Sequence, residues 1–336
     1  MSKQRKIPTP SWDQHTGLPG LTTGRGRFYA MLGIVAIVIV AFGVIGAGFL
    51  KDWIDERQLP GSTAIKVGDR EYSVEEVTER ARLFATETGN TQAQLVIPTV
   101  SGQTVDEAIL LEFASEKEVE ATDEEIKAEI AKLLGITVDD PNFDSIYQQE
   151  VDSLDLSEEQ YRDYARGRVL DNKVRAKFQE EIPEAVESVH YGQIQVDDQA
   201  AADDIKKQLD EGADFAALAK QYSTDTTTKD TGGDKGWVPR GVLSNAQEDV
   251  LFSLEPDAYA VYPTPGGQVF VYQGIEMSDS KPVADEFKET LATTAYADWK
   301  TEKRDSLDVV DSLSFQDGDR DKIQYVIDKA DLISGV

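Results

Sequence analysis

The sequence contains no cysteine, which excludes disulfide bonds, thiolate catalysis, cysteine-based zinc sites and a lipidated N-terminal cysteine. It has only two histidines, His15 and His190. Two imidazoles are too few for a histidine-rich metal centre, and no motif in the sequence groups either of them with a Ser and an Asp as a catalytic triad. We therefore expect no metal ion and no cofactor.

Positive charge is also scarce. The 336 residues carry 34 Lys and Arg against 63 Asp and Glu, a formal net charge of −29. Phosphate binding requires clustered cations, so this balance argues against nucleic acid as a partner. Strong acidity favours solubility and loose contact with unfolded or basic polypeptides, but it does not indicate a fold.

One long hydrophobic run is present near the N-terminus. Residues 28–50, FYAMLGIVAIVIVAFGVIGAGFL, contain no charged side chain over 23 positions. As a helix the run would extend roughly 35 Å, enough to cross a bilayer. A cleaved signal peptide has a shorter apolar region, and the absence of any polar face over 23 residues favours a membrane span over a helix in a protein core. We expect a single transmembrane helix.

The segments on either side of this run set its orientation. Residues 1–27 hold five Lys or Arg against the single Asp13, and several prolines and glycines, so we expect a disordered cytoplasmic tail. The positive-inside rule then places the bulk of the chain outside the cytoplasm. Residues 51–63 are interpreted as a linker.

The region 64–185 is predicted to be a mostly helical module. Three patterns of Ser or Thr followed three positions later by Glu or Gln indicate helix starts, at Ser73/Glu76, Thr122/Glu125 and Ser157/Gln160. Residues 186–278 change character: a strand at 188–196, helices at 200–211, after Asp214 and at 244–254, and two strands joined by a turn at 265–267. Residues 279–336 are predicted to be a C-terminal helical segment.

The stretch 215–241, FAALAKQYSTDTTTKDTGGDKGWVPRG, resembles the parvulin family of peptidyl-prolyl isomerases, as found in exported bacterial foldases. The resemblance implies an α+β fold in which an antiparallel sheet with helices is inserted between two helical parts. It also implies that the C-terminal segment packs on the N-terminal module to form one chaperone-like body.

The resemblance further implies a site. Asp225 matches the family's acidic centre, whereas Gln193 and Gln268 stand where the family has two histidines, so these three are the candidate catalytic residues. The slot for the proline ring corresponds to Lys235, Leu243, Gln247 and Phe252. A structural loop comprises Gly232, Gly233, Asp234, Gly236 and Trp237. A Gln193–Asp225–Gln268 hydrogen-bond network is expected without any titrating imidazole.

Three further expectations concern the loop. Its glycines permit a tight backbone where side chains would block the cleft, and the Asp234 side chain holds the turn. Trp237 is interpreted as a core anchor. His190 lies three positions before Gln193 on the opposite side of a strand, so it is expected to pack or hydrogen-bond rather than replace the missing imidazole.

The predicted function is a membrane-anchored, extracytoplasmic prolyl isomerase that assists the folding of unfolded or partly folded exported polypeptides. Slow X–Pro isomerisation limits such folding, and catalysis requires only a site complementary to the twisted amide. Two alternatives stay open. The first is a chaperone whose parvulin-like domain binds clients without turnover, and the second is an assembly scaffold for a membrane complex.

Overall fold

The computed structural model describes residues 58–154 and 156–334. The predicted cytoplasmic tail 1–27 and the predicted membrane helix 28–50 lie outside these ranges, as does most of the linker 51–63. Within the described ranges, no helix is both long enough and apolar enough to span a bilayer.

The N-terminal part begins with a hairpin and continues as helices. Its elements are β1 (Thr63–Val67), β2 (Arg70–Ser73), α1 (Val74–Thr88), α2 (Ala93–Phe113), α3 (Asp123–Leu133), α4 (Phe143–Ser153) and α5 (Glu158–Glu180). The three predicted helix starts are confirmed. Thr122/Glu125 and Ser157/Gln160 form reciprocal capping boxes, and the Ser73 hydroxyl accepts a hydrogen bond from the Glu76 amide.

The middle part contains a second sheet with helices on both faces. Its elements are β3 (Ala185–Val196), α6 (Gln199–Asp210), α7 (Phe215–Tyr222), β4 (Asp234–Pro239), α8 (Asn245–Leu251), β5 (Tyr259–Pro263) and β6 (Val269–Pro282). The sheet is antiparallel in the order β4-β3-β6-β5. β3 and β6 pair from Val196↔Val269 to Ala185↔Pro282, so both strands are longer than the alternation of the sequence predicted.

Two apolar layers cover this sheet. On one face Ile194, Val196 and Val271 pack against α6 and α7. On the other face Val189, Tyr191 and Tyr272 pack against α8 and the residues that follow it. The central strands β3 and β6 are therefore covered on both faces. Polar side chains on the face that packs against α8 are enclosed by this apolar layer.

The C-terminal part returns to the N-terminal helices. It consists of α9 (Asp285–Asp305), β7 (Val309–Asp311) and α10 (Arg320–Lys329). β7 was not expected from the sequence; it pairs with β1 and completes a three-stranded sheet in the order β2-β1-β7. Tyr296, Trp299 and Val326 belong to the same buried cluster as Ile65 and Ile109. The two ends of the described chain thus share one core, with the second sheet inserted between them.

Candidate functional site

The glycines of the loop allow three backbone segments to lie in contact. Gly232 and Gly233 have φ of 84° and 80°, a region that side chains disfavour. A Cβ at Gly233 would lie 2.5 Å from the carbonyl oxygen of Gln193, and one at Gly232 would lie 2.6 Å from Cβ of Ala216. The backbone N–H of Gln193 donates a hydrogen bond to the backbone carbonyl of Gly233 at 2.8 Å. The glycines therefore bring the loop against β3 and α7, rather than keeping a cleft open.

Asp234 organises the end of this loop. Its Oδ1 accepts from the Gly236 amide at 2.8 Å and lies 2.7 Å from Nε2 of His190. Burial by itself would raise the pKa of Asp234, but the Gly236 amide and His190 more than offset this and lower it. The expectations that Asp234 holds the turn and that His190 forms a hydrogen bond are both confirmed.

Trp237 corrects one prediction. It is only half-buried and belongs to none of the apolar clusters of the described residues, so it is not a core anchor. Its ring lies 5.6 Å from the His190 ring, and the Lys281 ammonium lies 4.0 Å from its centre. Trp237 pairs with His190 across β4 and β3, and its neighbour Val238 is buried, so alternation along β4 places the indole on the opposite face of the strand.

Asp225 has a full set of hydrogen-bond donors. Its Oδ1 accepts from the amide and the hydroxyl of Thr227 at 2.9 and 2.5 Å, and its Oδ2 accepts from the Thr228 hydroxyl at 2.9 Å. Burial of this carboxyl, which is 10% exposed, would raise its pKa. The bonds from Thr227 and Thr228, together with the charge of Lys235, outweigh burial and lower the pKa to about 2. Asp225 is therefore ionised at neutral pH.

Lys235 occupies a position that sequence reasoning assigned to the wall of the proline slot. In the structure its Nζ lies 3.6 Å from Oδ2 of Asp225, and its side chain is 28% exposed. The positive φ of Gly233 and Gly236, on either side of it, turns this side chain back across the loop. The structure thus places a cation beside the acidic centre, a pairing that no sequence pattern indicated.

The two glutamines do not join this arrangement. Gln193 is buried on β3, and Gln268 is exposed at the β5–β6 turn, where its carbonyl accepts from the amide and hydroxyl of Thr264. Among the described residues, neither glutamine side chain hydrogen-bonds to Asp225, so the expected three-residue network is not formed. The donors it would have supplied come from Thr227 and Thr228, adjacent to Asp225 in the chain.

The remaining slot residues gather on the second face of the sheet. Phe252 is buried beneath the Arg240 guanidinium, 3.9 Å from its ring, and Leu243 packs on the same cluster. Gln247 donates from Nε2 to the Tyr272 hydroxyl at 3.1 Å and accepts from the Ser244 hydroxyl at 2.8 Å. Leu243, Gln247 and Phe252 are thus brought together, with an amide rather than an apolar ring among them.

Sequence reasoning missed the aromatic side chains that complete this face. They are Tyr191 on β3, Tyr262 on β5, and Phe270 and Tyr272 on β6. Tyr191 and Tyr272 meet edge-on with ring centres 5.7 Å apart, and Tyr262 and Phe270 stack on Tyr272 at 6.0 and 5.8 Å. Alternation along β3 places Tyr191 on the same face as Gln193, and that spacing is the signal that could have found it.

Comparison with known proteins identifies the two halves of this architecture. Residues 187–273 match the PPIC-type PPIase domain, and residues 25–175 match the SurA-like N-terminal domain. The chain therefore carries a parvulin-type PPIase domain together with a SurA-like N-terminal domain.

Several curated relatives of this parvulin-domain protein are foldases by name. The foldase protein PrsA of Caldanaerobacter subterraneus subsp. tengcongensis is 28% identical over 233 residues, 66% of this chain and 74% of that protein. Foldase protein PrsA 1 of Bacillus cereus is 38% identical over 88 residues, 26% of this chain and 30% of that protein. A crystal structure of peptidylprolyl isomerase PrsA from Bacillus anthracis has 18% identity, 70% and 98% coverage of the two chains, and a TM-score of 0.34. That score is too low to establish a common arrangement of the whole chain.

The chemistry available to the parvulin domain is electrostatic and apolar rather than acid–base. Asp225 stays ionised, because its pKa is about 2. Burial raises the pKa of Tyr191, and it raises that of Tyr272 to about 12 although the bond from Gln247 opposes the shift. Both phenols therefore remain protonated donors at neutral pH. The domain thus holds a buried aromatic cluster near the carboxylate–ammonium pair of Asp225 and Lys235.

Proposed function

We propose that this protein is an extracytoplasmic parvulin-type prolyl isomerase that assists the folding of exported polypeptides. The observation that carries the proposal is the aromatic face of Tyr191, Tyr272 and Phe252 beside the ionised Asp225, within the segment that matches the PPIC-type domain. The curated relatives named foldase support the client class.

The proposed mechanism needs no covalent step. Rotation about an X–Pro bond crosses a barrier of roughly 18–20 kcal/mol because the amide loses resonance in the twisted state. In our proposal the proline ring packs against Leu243 and Phe252, and Gln247 contacts the adjacent peptide group. Asp225 and Lys235 present a fixed dipole to the twisted amide, with Gln193 and Gln268 as flanking polar groups. Such preorganised charges stabilise the transition state more than the planar ground state.

Refolding of a client that is limited by prolyl isomerisation tests this function. The full chain, solubilised in mild detergent, is expected to accelerate the slow refolding phase catalytically. Asp225→Ala should remove most of the acceleration. Asp230→Ala serves as the matched control, since Asp230 is exposed on the same loop and its carboxylate accepts no hydrogen bond from the described residues. An unchanged slow phase with the wild-type chain would refute isomerase activity.

A client-binding chaperone without turnover is the second candidate. Two observations favour it. The side-chain amide of Gln247 bonds to Tyr272 at a position where a proline slot needs an apolar wall. In addition, Gln193 and Gln268 make no hydrogen bond to Asp225 within the described residues. In this case the full chain would suppress aggregation of an unfolded client, while the slow refolding phase keeps its rate. If the full chain neither suppresses aggregation of the client nor accelerates its slow refolding phase, both candidates are excluded.

The location is proposed from the sequence of residues 28–50. We infer that this segment anchors the protein in the cell membrane, with residues 1–27 in the cytoplasm and residues 51–336 outside it. Carbonate extraction of membranes should leave the chain in the pellet, and protease added to intact spheroplasts should digest the part beyond residue 63. Release of the chain by carbonate, or complete protection from protease, would contradict this topology.

A further inference from the structure

Tyr191 lies on the central strand β3 with its ring almost fully enclosed. The residue is 2% exposed and belongs to the same buried cluster as Leu251 and Phe252. Its ring and that of Tyr272 meet edge-on with centres 5.7 Å apart, and Leu243 packs on the same cluster. Because close packing holds the ring on these sides, the position of its hydroxyl group is fixed as well.

The hydroxyl of Tyr191 is an unused hydrogen-bond donor. It makes no hydrogen bond within the part of the chain that the structure describes. The unpartnered side-chain atoms that solvent cannot reach are, in that part of the chain, the Tyr72 hydroxyl, Nε of Arg80 and the Ser101 hydroxyl. Because the Tyr191 hydroxyl is unpartnered and is not one of these, the small exposed fraction of Tyr191 includes that oxygen. The group can therefore contact an atom from outside the chain.

An irregularity in the sheet places Tyr191 opposite Lys235. The regular pairs on either side of it are His190↔Trp237 and Gly192↔Asp234. One residue of β3 and two residues of β4 lie between these pairs, which is the pattern of a β-bulge. Bulges change the direction of nearby side chains and occur often beside active sites. Tyr191 thus faces the cation that lies 3.6 Å from Asp225.

The Asp225 carboxylate acts on Tyr191 without bonding to it. Burial is the main cause that raises the pKa of Tyr191, and the neighbouring Tyr272 and the charge of Asp225 raise it further. The oxygens of that carboxylate already accept from the two threonines that follow it at positions 227 and 228. The Tyr191 hydroxyl therefore keeps its proton at neutral pH and has no internal acceptor for it.

A donor in this place suits the twisted state of an X–Pro bond. In the planar amide the nitrogen lone pair is delocalised into the carbonyl group, so the nitrogen is a poor hydrogen-bond acceptor. Rotation about the C–N bond ends this delocalisation and leaves the lone pair on nitrogen. A hydrogen bond to that nitrogen is therefore strongest in the transition state, which is the condition for faster turnover. No covalent bond is broken, and the proton stays on the phenol oxygen.

We propose that the hydroxyl of Tyr191 is a catalytic donor to the prolyl nitrogen of the substrate as the X–Pro bond twists. This inference rests on the proposed isomerase function and names a group that acts in its transition state. A proline ring against Leu243 and Phe252 lies on the same cluster as Tyr191, which brings its nitrogen to the hydroxyl. The Tyr272 hydroxyl is not available for this contact, because that residue is fully buried and accepts from Gln247.

Exchange NMR on an uncharged tetrapeptide with one alanyl-proline bond measures turnover by the full detergent-solubilised chain. A concentration series separates kcat from KM. Tyr191→Phe should lower kcat roughly tenfold or more with KM unchanged, since the lost hydrogen bond forms only in the twisted state. Tyr259→Phe is the matched control. Tyr259 lies on β5 of the same sheet but stacks on Phe215 at the opposite face, so this variant should turn over like wild type.

Thermal unfolding checks that both variants are folded. A hydroxyl without a hydrogen bond contributes little stability, so Tyr191→Phe should keep the wild-type midpoint. A higher KM without a lower kcat, a clearly lower midpoint, or an equal loss of kcat in Tyr259→Phe would overturn the inference. Equal kcat of wild type and Tyr191→Phe would also overturn it, while the isomerase function would stand. A wild-type chain without turnover would refute both the inference and the isomerase function.

Discussion

The charge of Asp225 is expected to stabilise the parvulin domain, and Asp225→Asn removes it with little change of shape. The amide oxygen can still accept from Thr227, but the amide nitrogen then faces the Thr228 hydroxyl and the Lys235 ammonium. The Thr228 hydroxyl can rotate to accept from the amide nitrogen, but the Lys235 ammonium can only donate, so the substitution removes the ion pair and leaves two donors facing each other in a nearly buried site.

The pKa of Asp225 gives the magnitude. It falls from an ordinary 3.8 to about 2 in the folded protein, because hydrogen bonds from Thr227 and Thr228 outweigh burial. At about 1.4 kcal/mol for each pKa unit, the ionised group contributes roughly 2.5 kcal/mol. A lowered pKa means that this contribution is complete well above pH 3.8 and is lost as the pH falls towards 2. About half of it should remain at roughly pH 3.

Hydrogen exchange of the amides in residues 223–237, followed by mass spectrometry on the full chain, measures this effect locally. Relative to wild type, Asp225→Asn should exchange roughly 50-fold faster at pH 7 and roughly tenfold faster at pH 3, after correction for intrinsic rates. Asp230→Asn carries the same charge change without the hydrogen bonds and should exchange like wild type. Equal exchange of the two variants, or a difference that grows on acidification, would refute the reasoning.

Three further substitutions follow from the structure. Gly233 has a φ of 80°, and a new Cβ there would lie 2.5 Å from a carbonyl oxygen. In urea titrations Gly233→Ala should therefore lower the free energy of unfolding by more than about 2 kcal/mol. Gly266→Ala is the control, because its Cβ has room, and it should change the free energy little. Lys235→Leu should lower stability by less than about 1 kcal/mol, since a partly exposed ion pair is weak. Because Lys235 forms part of the proposed dipole, its loss should lower kcat/KM for a proline peptide by about tenfold or more. Gly167→Ala should lower the thermal midpoint by displacing a buried acidic side chain, while Gly102→Ala, in open space on an exposed helix position, should raise it slightly.

The local features of the fold could be predicted from the sequence because they depend on neighbours in the chain. The capping boxes at Thr122 and Ser157 each need only a residue three positions away. The same holds for the turn at Asp234, whose side chain bonds to the amide two residues later. The resemblance to the parvulin family rested on one such local motif, the glycine-rich loop.

The site was less predictable, because its partners come from different strands. The pairing of Lys235 with Asp225 depends on how two positive-φ glycines turn β4 back across the loop, and the aromatic face depends on the register of β3 against β6. Trp237 lies outside the core although Val238 beside it on β4 is buried, because the placement of β4 in the sheet decides which of its alternating side chains face a core.

Three helix starts, the glycine-rich turn and the family resemblance could therefore be inferred from the sequence alone. It also contains the long apolar run on which the membrane proposal depends. Only the packed structure shows that the C-terminal β7 completes the sheet of β1, and that Asp225 bonds to two threonines instead of two glutamines. The physical reason is the same in each case. These contacts join residues distant in the chain, and their geometry is set by packing rather than by local conformational preference.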